Sequence, residues 1–280
     1  MDLHFRAFSF VDRIHSLGSG DQITGHYGIP SGLTRFSHSL AAEATGQLAA
    51  WASMKATGFT VRPVAGLAGR VELVSPIQPG QQLDLAATIE SVDQEAVSYH
   101  GTASIEGRPV LRLHHCVGPM MPLTEFDDPQ LMQGRFDLLC GEGAVPGAFG
   151  GVPDLCLDAH DLTSDDSIQA VLRVPESADF FADHFPRNPV LPGTLLTDAN
   201  LGLAAELMEK IAPPAEGSRW FPREIQDVKL RAFIPPGETL ELIARKRAST
   251  GDTATIVMQI RQDGKRIGSC RVNLALEDSP

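Results

Sequence analysis

The residues best placed to do chemistry are acids where acids do not belong. Glu43 stands inside Leu40-Ala-Ala-Glu-Ala-Thr-Gly-Gln-Leu-Ala-Ala-Trp51, with no Lys or Arg three or four places away to pair with it. Carboxylates are almost never fully buried without a partner. A carboxyl group held in an apolar cavity has its pKa raised by desolvation and can carry a proton near neutrality. The plainer alternative is a structural acid satisfied by a polar rim or a backbone group. Gln47 lies one turn on and can bond to the same region. Asp198 repeats the anomaly in Leu195-Leu-Thr-Asp-Ala-Asn-Leu-Gly-Leu-Ala-Ala205. Its plain reading is an early-turn acid favoured by the helix dipole, if the helix starts only at Gly193 or Thr194. Ahead of it runs Phe180-Phe-Ala-Asp-His-Phe-Pro-Arg-Asn-Pro-Val-Leu-Pro-Gly193. Three prolines and a glycine give a rigid, irregular approach to a helix start, with His184 set in it. Imidazole titrates near neutral pH and serves as acid or base.

The elements that must position these residues occur twice. Val71–Leu83 reads against Val228–Leu240, and Glu106–Val110 against Asp263–Ile267; Ser39–Ala50 aligns with Thr194–Ala205 two residues out of step with those blocks. Blocks in the same order at nearly constant offset indicate two copies of one domain, at 1–118 and 153–280. Between them, 119–152 is rich in glycine and proline towards its end and reads as an irregular connection. Each copy has a short strand (Phe8–Ile14 in the first), a loop, one apolar helix and several long strands. The helix of copy one is expected from about Ser37 to Lys55 and is apolar on every side, so it is buried. In Val97–Ile105 the odd-numbered residues share one face, as do Ile256, Met258 and Ile260 in copy two. Glu-Gly and Asp-Gly mark tight turns. The expectation is an α+β fold of antiparallel sheets, each wrapped around a central helix, with the two sheets joined edge to edge to hide an edge.

His184-Phe-Pro-x-x-Pro-x-x-Pro-Gly193, followed five residues later by Asp198, resembles the signature of the β-hydroxyacyl-[acyl carrier protein] dehydratases, enzymes of hotdog fold. The resemblance implies two hotdog domains in tandem forming an internal pseudo-dimer, a monomer or a homodimer of it. In this family each site joins the His of one domain to the acid of the other. Copy two keeps His184, Pro192 and Gly193 but has Gly202 where the family has Gln. Copy one has Ile29 at the position equivalent to His184, and Ser37-His38 where Pro-Gly is expected, yet keeps Glu43 and Gln47. The economical expectation is one intact site of His184 and Glu43, with Asp198 in a vestigial second one. His26 and Tyr27 lie close enough to Ile29 to rescue that second site if the loop is shifted, which keeps Asp198 a candidate acid. The implied reaction is loss of water from a 3-hydroxyacyl thioester, with His184 as base, Glu43 as acid, the Gly193 N–H as oxyanion donor, and Thr194, Phe185, Pro192, Gln47 and Arg187 as substrate contacts. No metal or organic cofactor is implied. A hydratase, a thioesterase on the same fold, and a non-catalytic acyl-binding scaffold are the alternatives.

Composition sets bounds on the partners. The 280 residues are 42% apolar and 21% charged, with net charge -12. That suits a globular chain of two domains and disfavours nucleic acid or anionic lipid, which select basic surfaces. No run spans a bilayer and residues 1–20 do not read as a secretory signal, so a cytoplasmic address is expected. An acyl carrier protein is acidic, yet residues 221–275 hold ten Lys and Arg against six Asp and Glu; a coenzyme A thioester would use the same charges. Cys116, Cys140, Cys156 and Cys270 form no C-x-x-C pair and read as reduced, buried thiols. His114 and His115, adjacent on a strand, point to opposite faces and cannot share one metal ion.

Overall fold

A computed structural model of the chain describes residues 3–17, 22–153, 155 and 157–278. The first half runs β1 (Arg13–Leu17), β2 (Gln22–Gly28), α1 (His38–Ala56), β3 (Val61–Pro63), β4 (Leu67–Leu73), β5 (Gln82–Val92), β6 (Ala96–Ile105) and β7 (Arg108–Pro122). A helix α2 (Pro129–Cys140) follows. The second half runs β8 (Leu157–Ser164), β9 (Ser167–Arg173), α3 (Gly193–Ile211), β10 (Ser218–Leu230), β11 (Thr239–Ser249), β12 (Thr253–Gln262) and β13 (Lys265–Asp278). The strands form one antiparallel sheet in the order β1-β2-β5-β6-β7-β4-β10-β13-β12-β11-β9-β8, with β3 on β7. The order is a palindrome of the repeat, and β4 pairs with β10 at its centre. The fold is the double hotdog that the family resemblance implies, with the two sheets joined edge to edge.

The local chemistry explains the elements. Ser37 caps α1, its hydroxyl accepting from the Leu40 N–H. The buried positions of α1 go around the helix, from Leu40, Ala41 and Ala44 to Leu48, Ala49 and Trp51, because the sheet wraps it. The approach is closest at Gly101 on β6, where an added Cβ would stand 2.5 Å from Thr45 Cγ2. Glu106 and Gly107, and Asp263 and Gly264, all have φ between 50° and 74°, as type I′ hairpins require.

The structure departs from the sequence reading at the first strand, the connection and one cysteine. Phe8–Asp12 is not strand; β1 begins at Arg13. The Phe8 carbonyl and Phe10 N–H are bonded by the Gln47 amide instead of a neighbouring strand. α3 does start at Gly193, which sets Asp198 in its second turn. Residues 119–152 are not simply irregular: β7 runs on to Pro122 and α2 buries Met132, Phe136 and Leu139. Asp128 caps α2 from the Gln130 and Leu131 N–H groups, with Pro129 at its first position. Cys140 is exposed while Cys116 and Cys270 are buried, and Cys156 lies outside the described residues. His115 sits at φ 52°, a break in β7, and His114 faces Glu72 at 3.2 Å.

Candidate active site

α1 and α3 pack against each other, and the site forms where Glu43, in the second turn of α1, meets Thr194 in the first turn of α3. A cavity of about 260 Å³ there is lined from both halves. Glu43, Gln47, Ala42 and Gly46 line it from α1, and His184, Phe185, Gly193 and Thr194 from the loop and first turn of α3. Both oxygens of Glu43 are engaged. Gln47 Nε2 donates to Oε1 at 3.0 Å, and Thr194 Oγ1, from the other copy, donates to Oε2 at 2.8 Å. The same Gln47 amide holds the Phe8–Phe10 backbone, so one side chain ties the acid to the N-terminal strap.

His184 is held by its backbone and its ring. Its N–H donates to the Phe180 carbonyl at 2.9 Å, its carbonyl accepts from Val190 N–H at 3.0 Å, and Nδ1 lies 3.1 Å from the Val190 carbonyl. A carbonyl only accepts, so Nδ1 carries the proton and Nε2 keeps its lone pair. The His184–Phe185 peptide is cis and the two rings stack at 4.2 Å. Burial lowers the His184 pKa below its ordinary value; Glu43 and the Val190 carbonyl pull it back up, and Arg62 presses it down. Gly193 opens α3 after Pro192, the N-cap residue; the Leu195 and Leu196 N–H groups donate to the Pro192 carbonyl at 3.1 and 3.2 Å, and the Gly193 and Thr194 N–H groups, ahead of the first helical bond, face outward from the helix start.

The other expected residues are placed differently. Asp198 does not line the cavity; its carboxylate turns to Arg35 at 3.2 Å. Arg187 is exposed and tied to the segment before α2, through the Thr124 carbonyl at 3.1 Å and Asp128 at 2.9 Å. Pro192 is buried outside the lining. Ile29 is buried in the main core. Neither His26, bonded to His15 at 2.7 Å, nor the buried Tyr27 lines the cavity.

Four charged residues at the site were not anticipated. Arg62 on β3 lies 4.0 Å over the Phe185 ring; burial lowers its pKa to about 10, against the pull of Asp127 and Glu43. Asp183, next to His184, accepts from the Phe5 and Phe8 N–H groups, from Ser9 Oγ at 3.1 Å and from His4 Nδ1 at 3.1 Å. His4 also lies 3.3 Å from Asp127. Burial pulls His4 down, but the two carboxylates outweigh it and raise its pKa to about 10. The one signal in the sequence is Arg62 itself, a lone charge in the apolar run Val61-Arg-Pro-Val64.

Comparison with known proteins agrees with this architecture. Residues 160–269 match the ApeI-like dehydratase family model. The chain is 32% identical over 124 residues to the 3-hydroxyacyl-[acyl-carrier-protein] dehydratase FabZ of Lactococcus lactis subsp. cremoris, an alignment covering 44% of this chain and 85% of the relative. It is 31% identical to the FabZ of Streptococcus thermophilus, over 44% of this chain and 87% of that one. Among solved structures, a hotdog-fold protein of Alicyclobacillus acidocaldarius superposes with TM-score 0.51 at 12% identity, covering 99% of this chain and 98% of that one. An acyl-ACP thioesterase of Bacteroides thetaiotaomicron gives 0.55 at 11% identity, over 92% and 98% of the two chains. A MaoC-like dehydratase gives 0.50 at 15%, over 88% and 85%. The chain belongs to the hotdog dehydratase family.

Proposed function

We propose that the chain is a 3-hydroxyacyl-thioester dehydratase with one composite site, His184 from the C-terminal copy and Glu43 from the N-terminal copy, on a carrier-protein or coenzyme A thioester in fatty-acid or polyketide-type synthesis. The copies are assigned to 1–118 and 153–280. The observation that carries the reading is the shared cavity, in which Thr194 of one copy bonds the acid of the other. The thioester carbonyl lies at the Gly193 N–H, where the exposed donors and the dipole of α3 favour developing negative charge. His184 Nε2 removes a proton from C2. Glu43 delivers a proton to the 3-hydroxyl, the C3–O bond breaks, water leaves, and the C2=C3 double bond forms. The proton on His184 then returns Glu43 to its acid form through solvent. Apolar residues such as Leu113, Leu196 and Ile225 complete the cavity wall and suit an acyl chain. Hydration is the same path reversed.

The test is turnover of a 3-hydroxyacyl thioester, followed by the enoyl absorbance. His184→Ala and Glu43→Gln are each expected to lower kcat/KM by about 10²–10⁴-fold. Absence of turnover by the wild-type protein with either carrier would replace this reading with a non-catalytic acyl-binding role.

A further inference from the structure

Two polar side chains in the cavity wall have no part in that chemistry. Asn200 on α3 is 2% exposed and its Oδ1 has no hydrogen-bond partner; Ser39, in the first turn of α1, is 4% exposed and its Oγ has none. Both line the cavity that holds Glu43 and His184. A buried polar atom left without a partner forfeits the bonds it made to water in the unfolded chain. The repeat shows that neither is a feature of the fold in general. Thr45, at the position of copy one equivalent to Asn200, satisfies its own hydroxyl by donating to the Ala41 carbonyl at 2.9 Å. Thr194, the equivalent of Ser39, bonds Glu43. Ser39 lacks the matching partner because Asp198 turns away to Arg35.

Position and surroundings define what would pair with them. Asn200 lies two turns, roughly 10 Å, along α3 from Gly193. Leu196 on the same helix, and Ile225, Ile260 and Cys270 on strands that pack against α3, line the same cavity. A charge would be costly among such groups, whereas a neutral hydroxyl would satisfy the open acceptor. We propose that this lobe of the cavity receives an acyl chain bearing a hydroxyl remote from its thioester, with Asn200 Oδ1 accepting from that hydroxyl and Ser39 Oγ as its second contact. The inference deepens the dehydratase reading and rests on it for the thioester at Gly193.

The test is calorimetric binding of two unreactive acyl-pantetheine thioethers of equal length, one plain and one hydroxylated near its far end, to the full chain. The wild-type protein is expected to favour the hydroxylated chain by about tenfold or more. Asn200→Leu is expected to lose that preference while still binding the plain chain, which also reports that the variant is folded, and Ser39→Ala to lose part of it. Equal affinities in the wild-type protein, the result if the lobe holds only a trapped water, would overturn the proposal, as would a preference that survives Asn200→Leu. Turnover of the matching thioesters separates the two readings. A binding preference without turnover of either chain supports this proposal and sinks the dehydratase; turnover of both with equal affinity does the reverse.

Discussion

At the scale of single residues, the proposed site turns on which way two equivalent acids face. Glu43 and Asp198 occupy matching places on equivalent helices, but Glu43 is fixed between Gln47 and Thr194 while Asp198 has Arg35. Gly202, where the family has Gln, is exposed and supplies no amide to hold Asp198 inward. Asp198→Asn is therefore expected to keep kcat/KM within about twofold, since it alters only an ion pair with a largely exposed arginine. Loss with Asp198→Asn and none with Glu43→Gln would reverse the assignment. His184, the proposed base, makes a second prediction. A base must be unprotonated, and burial first of all lowers the His184 pKa from the ordinary 6.5. The acid limb of kcat/KM against pH is thus expected to have its midpoint below 6.5. A midpoint above that value would mean that the Glu43 charge outweighs burial.

At the scale of elements, the strap at residues 3–12 and the segment leading into α2 hold the loop that carries His184. His4, between Asp127 and Asp183, is protonated in the folded chain up to about pH 10. A raised folded pKa stabilises fully below the unfolded value of 6.5 and is lost as pH rises through about 10. The melting temperature of the wild-type protein is expected to fall over that window relative to His4→Gln; parallel curves would exclude the effect. Phe136 of α2 packs on Trp51 and Phe59 at 6.3 and 5.7 Å, and Phe136→Ala is expected to destabilise by about 3–5 kcal/mol in denaturant unfolding. These elements also mark how far the sequence could be read. α1, its cap and the I′ turns were legible because helix period, capping and φ > 0 are local properties. Glu43 was legible because an acid in an apolar helix stands out at any distance. The strap was misread because Phe8 and Phe10 alternate like a strand, while their backbone partners are a side chain 37 and 39 residues away. Asp183 and Arg62 went unnoticed because their roles exist only once the strap and β3 are folded against the loop.

At the scale of the whole molecule, the repeat has become one object with unequal halves. The sheet crosses from one half to the other at β4 and β10, where Ile225 faces Val71 and Arg70 bonds Glu224. Below the junction, α1 and α3 meet through Glu43 and Thr194. The halves therefore touch one another away from the covalent link through 141–153. That link is tied at Ala144, whose N–H donates to the Asp12 carbonyl at 2.7 Å, and at Phe149, buried in the core, but Val145 between them is 81% exposed. A protease site inserted at Val145 is expected to be cut without separating the halves, since the strand pair, the helix contact and the buried apolar surface between them remain and association is favoured by that burial. After cleavage, the two fragments should co-migrate on native size exclusion, resolve only on a denaturing gel, and retain the turnover of the uncut chain. Fragments that part under native conditions would show that the continuous sheet is too weak to hold the composite site, and that the tether does so by raising the effective concentration of one half for the other.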